Sequence, residues 1–81
     1  MADSNKLLRR ITVDPEVLAG KPIIRGLRIS VEQVLKALAA GVSADDLLRD
    51  YPELEPEDLR AVLAYAAACI SEEDVYSVEV G

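Results

Sequence analysis

From residue 30 onward the apolar residues of this chain recur at helical spacing. Before it they come in short β-branched clusters broken by glycine and proline. Val31, Val34, Leu35 and Leu38 fall at i, i+3, i+4 and i+7, the buried stripe of one helix. Ser30 and Gln33 make an S-x-x-Q capping box at its start. Glu32 stands four residues before Lys36 on its wet side, and Gly41 ends it. Ser43 caps a second helix, ADDLLRD, whose Asp45 and Asp46 sit at the positive end of the dipole. Tyr51-Pro52 stops that helix. Pro56 opens the third and longest, with an expected buried stripe of Leu59, Val62, Leu63, Ala66 and Ile70.

The front of the chain reads differently. LLRRITV (7–13) ends in β-branched residues and predicts a short strand. In DPEVLAG, Asp14 suits an N-cap, Pro15 the first helical position and Gly20 the left-handed residue past the end, which predicts one helical turn. In IIRGLRI, Arg25-Gly26 between apolar pairs predicts a tight turn with Gly26 at positive φ. Pro22 fixes the chain between these two turns. The last stretch, SEEDVYSVEV, has three acids followed by good strand residues. The expected class is therefore mostly α: a short N-terminal β-element, three helices of rising length and a C-terminal strand in reserve. The second and third helices, joined by PELE, suit a helix-turn-helix. Residues 1–70 are read as one domain and 71–81 as an acidic tail.

Length and composition narrow the function. A chain of 81 residues makes one small domain that buries a modest share of its surface and gains from a partner. Histidine is absent, which removes the commonest general base and zinc ligand. The single cysteine, Cys69, can form neither an internal disulfide nor a cysteine-based zinc site, and its place near the apolar stripe predicts an inert core thiol. No signal peptide is visible, and the longest apolar run, AVLAYAAACI, is too short to span a bilayer. A cytoplasmic protein without catalytic function, cofactor, metal or membrane contact is expected.

Charge is distributed unevenly. Residues 1–28 carry six basic side chains against three acidic ones, and residues 29–81 carry three against twelve. GKPIIRGLR (20–28) holds the basic cluster Lys21, Arg25 and Arg28. It is no P-loop, because Pro15 stands five residues before Gly20 and Pro22 replaces the hydroxyl residue after Lys21. Two readings stay open for the cluster: ion pairs with the chain's own carboxylates, or contacts to DNA phosphates. The third helix offers a DNA groove Glu57, Asp58 and only one base, Arg60, so it is a poor reader. Opposite its expected buried stripe lie Ala61, Ala64 and Ala68 with Tyr65 beside them. That smooth face suits either plain helix propensity or close contact with another helix in a homo-oligomer or heteromer.

The ordered run I-T-V-D-P (11–15), G-K-P-I-I-R-G-L-R-I-S-V (20–31), A-A-G (39–41), D-Y-P (50–52) and E-D-L-R-A-V-L-A-Y-A (57–66) resembles the family called domain of unknown function 433. The resemblance covers about residues 11 to 70. It implies a homeodomain-like three-helix fold. It also implies the role of an antitoxin of the VapB type, paired in bacteria with a PIN-like ribonuclease toxin. Three places depart from the family pattern. Leu18-Ala19 replaces a Cys-Gly or Gly-Gly pair. Leu27 replaces the Thr of G-T-R. Glu55-Pro56 replaces Leu-Thr before the last helix.

The expectation that follows is a non-catalytic antitoxin-like protein that neutralises a PIN-like ribonuclease. In its tail, Glu72, Glu73 and Asp74 would meet a basic rim while Val75, Tyr76, Val78 and Val80 anchor it. The first alternative is a dimeric DNA-binding regulator using Lys21, Arg25 and Arg28. The second is a purely structural oligomer joined through Ala61, Ala64, Tyr65 and Ala68.

Overall fold

The computed structural model describes the backbone of residues 2–72 and the side chains of residues 5–71. The chain opens with a helix, α1 (Ala2–Leu8), followed by two short strands, β1 (Ile11–Val13) and β2 (Pro22–Ile24). Three further helices complete it: α2 (Val31–Ala39), α3 (Ala44–Asp50) and α4 (Pro56–Glu72). The domain is thus mostly helical with a small antiparallel β-element near its N-terminus, as the sequence predicts. Two details differ. Leu7 and Leu8 end a helix rather than begin a strand, because extended structure starts only at the β-branched Ile11. And α3, at 7 residues, is shorter than α2 at 9, so the helices do not lengthen in order.

β1 pairs with β2 in the register Ile11↔Ile24, Thr12↔Ile23, Val13↔Pro22. The connection between them holds two consecutive turns. In the first, the Asp14 carboxylate accepts from the Glu16 N–H at 3.0 Å and the Asp14 carbonyl accepts from Val17 N–H at 2.9 Å. The second is a left-handed turn in which Leu18, Ala19 and Gly20 have φ of 51, 58 and 80°. The expected helical turn is thus made only over Asp14 to Val17; Gly20 is left-handed as expected, but Leu18 and Ala19 take that hand as well, and only Gly20 adopts it without cost. A non-glycine residue in this region costs about 1–2 kcal/mol. After β2, Arg25 and Gly26 sit at φ 46 and 72°, closed by the Leu27 N–H donating to the Ile24 carbonyl at 2.7 Å. This is the predicted tight turn. It folds the chain so that Ile23 bridges Ser30, and α2 starts beside the strands.

The caps form largely as read. Ser30 Oγ accepts from the Gln33 N–H at 2.9 Å, and Ser43 Oγ from the Asp46 N–H at 3.1 Å. Only half of the Ser30 capping box is made. The Gln33 amide donates instead to the Tyr51 hydroxyl at 2.8 Å and ties α2 to the end of α3. Gly41 ends α2, and Pro56 begins α4.

Ile24, Ile29, Val31, Val34, Leu47, Leu54, Leu59 and Val62 form the core, with one or more residues from β2, the turn after it and every helix from α2 to α4. Burying each such side chain contributes about 1.5–3 kcal/mol. The buried arc of α4 is Asp58, Leu59, Ala61 and Val62. Leu63 and Ile70, expected inside, are 53% and 60% exposed. Cys69, expected as a core thiol, is exposed as well. The cause is α1, which packs chiefly along α4. A cleft lined by Lys6, Leu7, Arg10, Glu57 and Arg60 marks their seam. With α1 on that flank, the smooth alanine side turns inward: Ala61 is fully buried, and Ala64 and Ala68 are half-buried. Ala61 is thus a core residue and not part of an open partner face. Among the described residues no helix is long and apolar enough to cross a membrane.

Candidate functional site: the two ends of α4

The first turn of α4 carries a buried carboxylate. Proline at the first helical position leaves Glu55 as the residue before it, and Asp58 then falls where a side chain can reach back to the Glu55 N–H. It does so, with Asp58 Oδ2 accepting at 2.8 Å. Two arginines close on the same group. Arg25 donates from Nε to Oδ1 at 3.0 Å and from its terminal nitrogen to Oδ2 at 2.8 Å. Arg10 donates to Oδ1 at 2.9 Å and also to Glu55 Oε1 at 2.8 Å. Arg25 donates in addition to the Glu53 carbonyl at 2.7 Å. The Asp58 side chain is fully buried, yet the arginines remain 28% and 33% exposed.

The turns of the N-terminal half build this cluster. The positive-φ pair Arg25-Gly26 aims the Arg25 side chain at α4. Arg25 N–H donates to the Arg10 carbonyl at 2.7 Å, which fixes the two arginines side by side. Thr12 Oγ1 accepts from the Gly26 N–H at 3.1 Å and holds the turn against β1. Burial alone would raise the Asp58 pKa. The hydrogen bonds from Arg25, from the Glu55 N–H and from Arg10 outweigh it, and the group lies below its ordinary value. The Arg10 guanidinium is raised by its bonds to Glu55 and Asp58, and that of Arg25 by its bond to Asp58.

A second, exposed ion cluster sits on α2. Lys21 Nζ reaches Glu32 at 2.8 Å, and Lys36 reaches the other oxygen of Glu32 at 3.0 Å. The Lys21 bond first, then that of Lys36, lowers Glu32 to about 2. Of the three basic residues of GKPIIRGLR, two are therefore engaged with the chain's own acids. Arg28 is exposed and makes no ion pair among the described residues. The signal for Lys21 and Arg25 lay in the excess of acids behind them. Arg10 carries no signal in the sequence, and Asp58, expected as an acid facing a DNA groove, is instead fully buried, as the E-P-E-D spacing with an acid three residues after the cap position allows.

The far half of α4 is different in kind. Tyr65, Ala66, Cys69 and Ile70 face Val31, Leu35 and Ala39 of α2 across a groove of about 560 Å³, floored in part by Pro22. Its charged lining consists of Glu32 and Lys36, already paired with each other. Tyr65, read as a partner-face residue, is half-buried and lines this groove. The side chain of Glu72, and all of Glu73, Asp74, Val75, Tyr76, Val78 and Val80, lie outside the described residues, as does the expected C-terminal strand.

Residues 11–66 match the family described as protein of unknown function (DUF433). An uncharacterized protein, y4eO, from Sinorhizobium fredii is 38% identical over 58 residues. That match takes in 72% of this chain but spans only 26% of the relative's length. A crystal structure of a DUF433 member from Anabaena variabilis superposes with a TM-score of 0.73 at 31% identity, covering 84% of this chain and 67% of that one. The chain belongs to the DUF433 family.

Proposed function

From that family membership we propose that this protein is a non-catalytic binding partner of the antitoxin type, which neutralises a PIN-like ribonuclease in a VapB-type pair. The observation that carries the reading is where the charge goes. Five of the nine basic side chains, Arg10, Lys21, Arg25, Lys36 and Arg49, are ion-paired within the chain. Exposed acids such as Asp45, Asp50, Glu53 and Glu57 are left to set the surface potential. An acidic, partly apolar surface suits a partner with a basic substrate groove, as a ribonuclease must have. The acidic segment beginning at Glu72 supplies both the charge and, in Val75, Tyr76, Val78 and Val80, apolar anchors for such a groove. Binding by charge complementarity predicts fast association that slows with salt.

The test is co-expression with the product of the adjacent reading frame. A nuclease that co-purifies and loses activity supports the reading; a nuclease there that neither binds nor is inhibited removes it. The DNA-binding alternative rests on Arg28, the member of the basic cluster left exposed. Promoter binding through phosphates must weaken steeply with salt. With Lys21 and Arg25 engaged, the expected result is no shift of promoter DNA by this chain alone, even at low salt.

A further inference from the structure

We propose that the groove between α2 and α4 is where two copies of this chain meet, with α4 of each laid antiparallel along the groove of the other. Three large apolar side chains are more than half exposed among the described residues: Val13, Leu63 and Ile70. Two of them, Leu63 and Ile70, stand seven positions apart and therefore on one side of α4. Ile70 lines the groove, so exposed apolar side chain and apolar hollow adjoin. Through Tyr65, Ala66 and Cys69 the same wall continues the face of α4 that Asp58, Leu59 and Val62 bury one and two turns earlier. Apolar surface gathered in this way marks contact with another body.

Shape, length and charge select a second copy as that body. A twofold contact needs a surface complementary to itself. Here a ridge, Leu63 and Ile70, stands beside a hollow of about 560 Å³, so half a turn sets the ridge of each copy against the hollow of the other. The ridge is about 10 Å long, and the α2 wall from Val31 to Ala39 about 12 Å. Ala66 and Ala67, midway along the ridge, let two helices approach closely. The rim carries both signs, with Glu32 between Lys21 at 2.8 Å and Lys36 at 3.0 Å. A basic nuclease groove would call for unpaired carboxylates there, and a nucleic acid for unpaired cations. A mixed rim is answered by a copy of itself. The twofold brings the Lys36 ammonium of each chain, 76% exposed and with donors to spare, toward Glu32 of the other. One groove and one helix edge make a contact at the small, transient end of protein interfaces, which suits a dissociation constant on the order of 0.1 mM. At the micromolar concentrations of unfolding assays the chain is then a monomer.

Cys69, the chain's only cysteine, lines this groove and reports on its cover. The experiment follows the full chain from about 10 μM to about 1 mM, a range that brackets such a constant. Light scattering gives its mass, and reaction with an aromatic disulfide reagent gives the rate at the Cys69 thiol. Wild type is expected to pass from mostly single chains to mostly pairs, and its thiol to react about fourfold more slowly at the top of the range than at the bottom. The variant Leu63→Glu/Ile70→Glu is expected to keep its helical content by circular dichroism, because both side chains are more than half exposed. It should stay a single chain throughout, with a constant thiol rate. Wild type that remains a single chain at the highest concentration overturns the proposal. So does doubling that persists in the folded variant, or a Cys69 rate that stays constant while the wild-type mass doubles; both place the contact on another face. The thiol arm is read on wild type alone and does not depend on the variant's folding. No nuclease is present, so failure here leaves the antitoxin reading to its own test.

Discussion

The two halves of α4 solve opposite problems. Its first turn buries a charge and satisfies it: Asp58 accepts from two arginines and a backbone N–H, and no buried polar side-chain atom among the described residues lacks a partner. Its last turns keep an apolar face and leave it open, with Cys69 and Ile70 exposed at the rim of the groove. A domain this small has little core to spare. The ion pairs at one end of its longest helix tie the residues flanking the two strands, Arg10 and Arg25, to α4, while the other end keeps its apolar face.

Replacing Asp58 by Ala breaks the comparison most severely. Removing the shared acceptor strands both guanidiniums and the Glu55 N–H, and the expected loss is about 3 kcal/mol. The arginines can turn toward water, which keeps the loss at the low end for a buried pair. Urea unfolding measures it as a lower midpoint with an unchanged slope. Acid acts on the same group less completely. The folded Asp58 is held below its ordinary pKa, so its stabilisation is full above that ordinary value and is lost as pH falls through the folded one. Between about pH 6 and pH 2 the midpoint of wild type should fall toward that of Asp58→Asn, which lacks this titration.

A smaller effect is expected at the turn that aims Arg25. Gly26→Ala meets no atom within 4 Å, so its cost is the backbone strain at φ 72°, about 1 kcal/mol. Thermal unfolding should show it, together with faster amide exchange at Arg25. At the open end the comparison predicts the reverse. Ile70→Lys, at a side chain 60% exposed, should change stability by less than about 0.5 kcal/mol in the same urea assay. If it costs as much as Asp58→Ala, the far half of α4 is core and the contrast between its ends is wrong.

Much of the fold was legible because its signals are local. Ser30, Ser43, Pro56 and Gly26 act through their own turns, and each does what its residue type demands. What stayed hidden depended on parts meeting at a distance. The apolar spacing of α4 alone places Leu63 and Ile70 inside, because it does not show α1, of which only Leu7 and Leu8 resemble strand residues, packed on the flank beside Ala61. The cluster at Asp58 joins residues 10, 25, 55 and 58, and only the pairing of β1 with β2 brings its two arginines side by side. Lys21 and Arg25 pair with the chain's own acids, one of the two readings open for the basic cluster, while Arg28 makes no such pair among the described residues. Which acids they would meet was not written in their neighbours.

The central claim is that this domain binds and silences a nuclease through its acidic C-terminal end. The direct measurement is RNA cleavage by the PIN-like product of the adjacent reading frame, titrated with the full chain and with its Glu72→Lys/Glu73→Lys/Asp74→Lys variant. The account predicts that wild type abolishes cleavage near equal stoichiometry and that the variant does not. Undiminished cleavage at excess wild-type protein would contradict it.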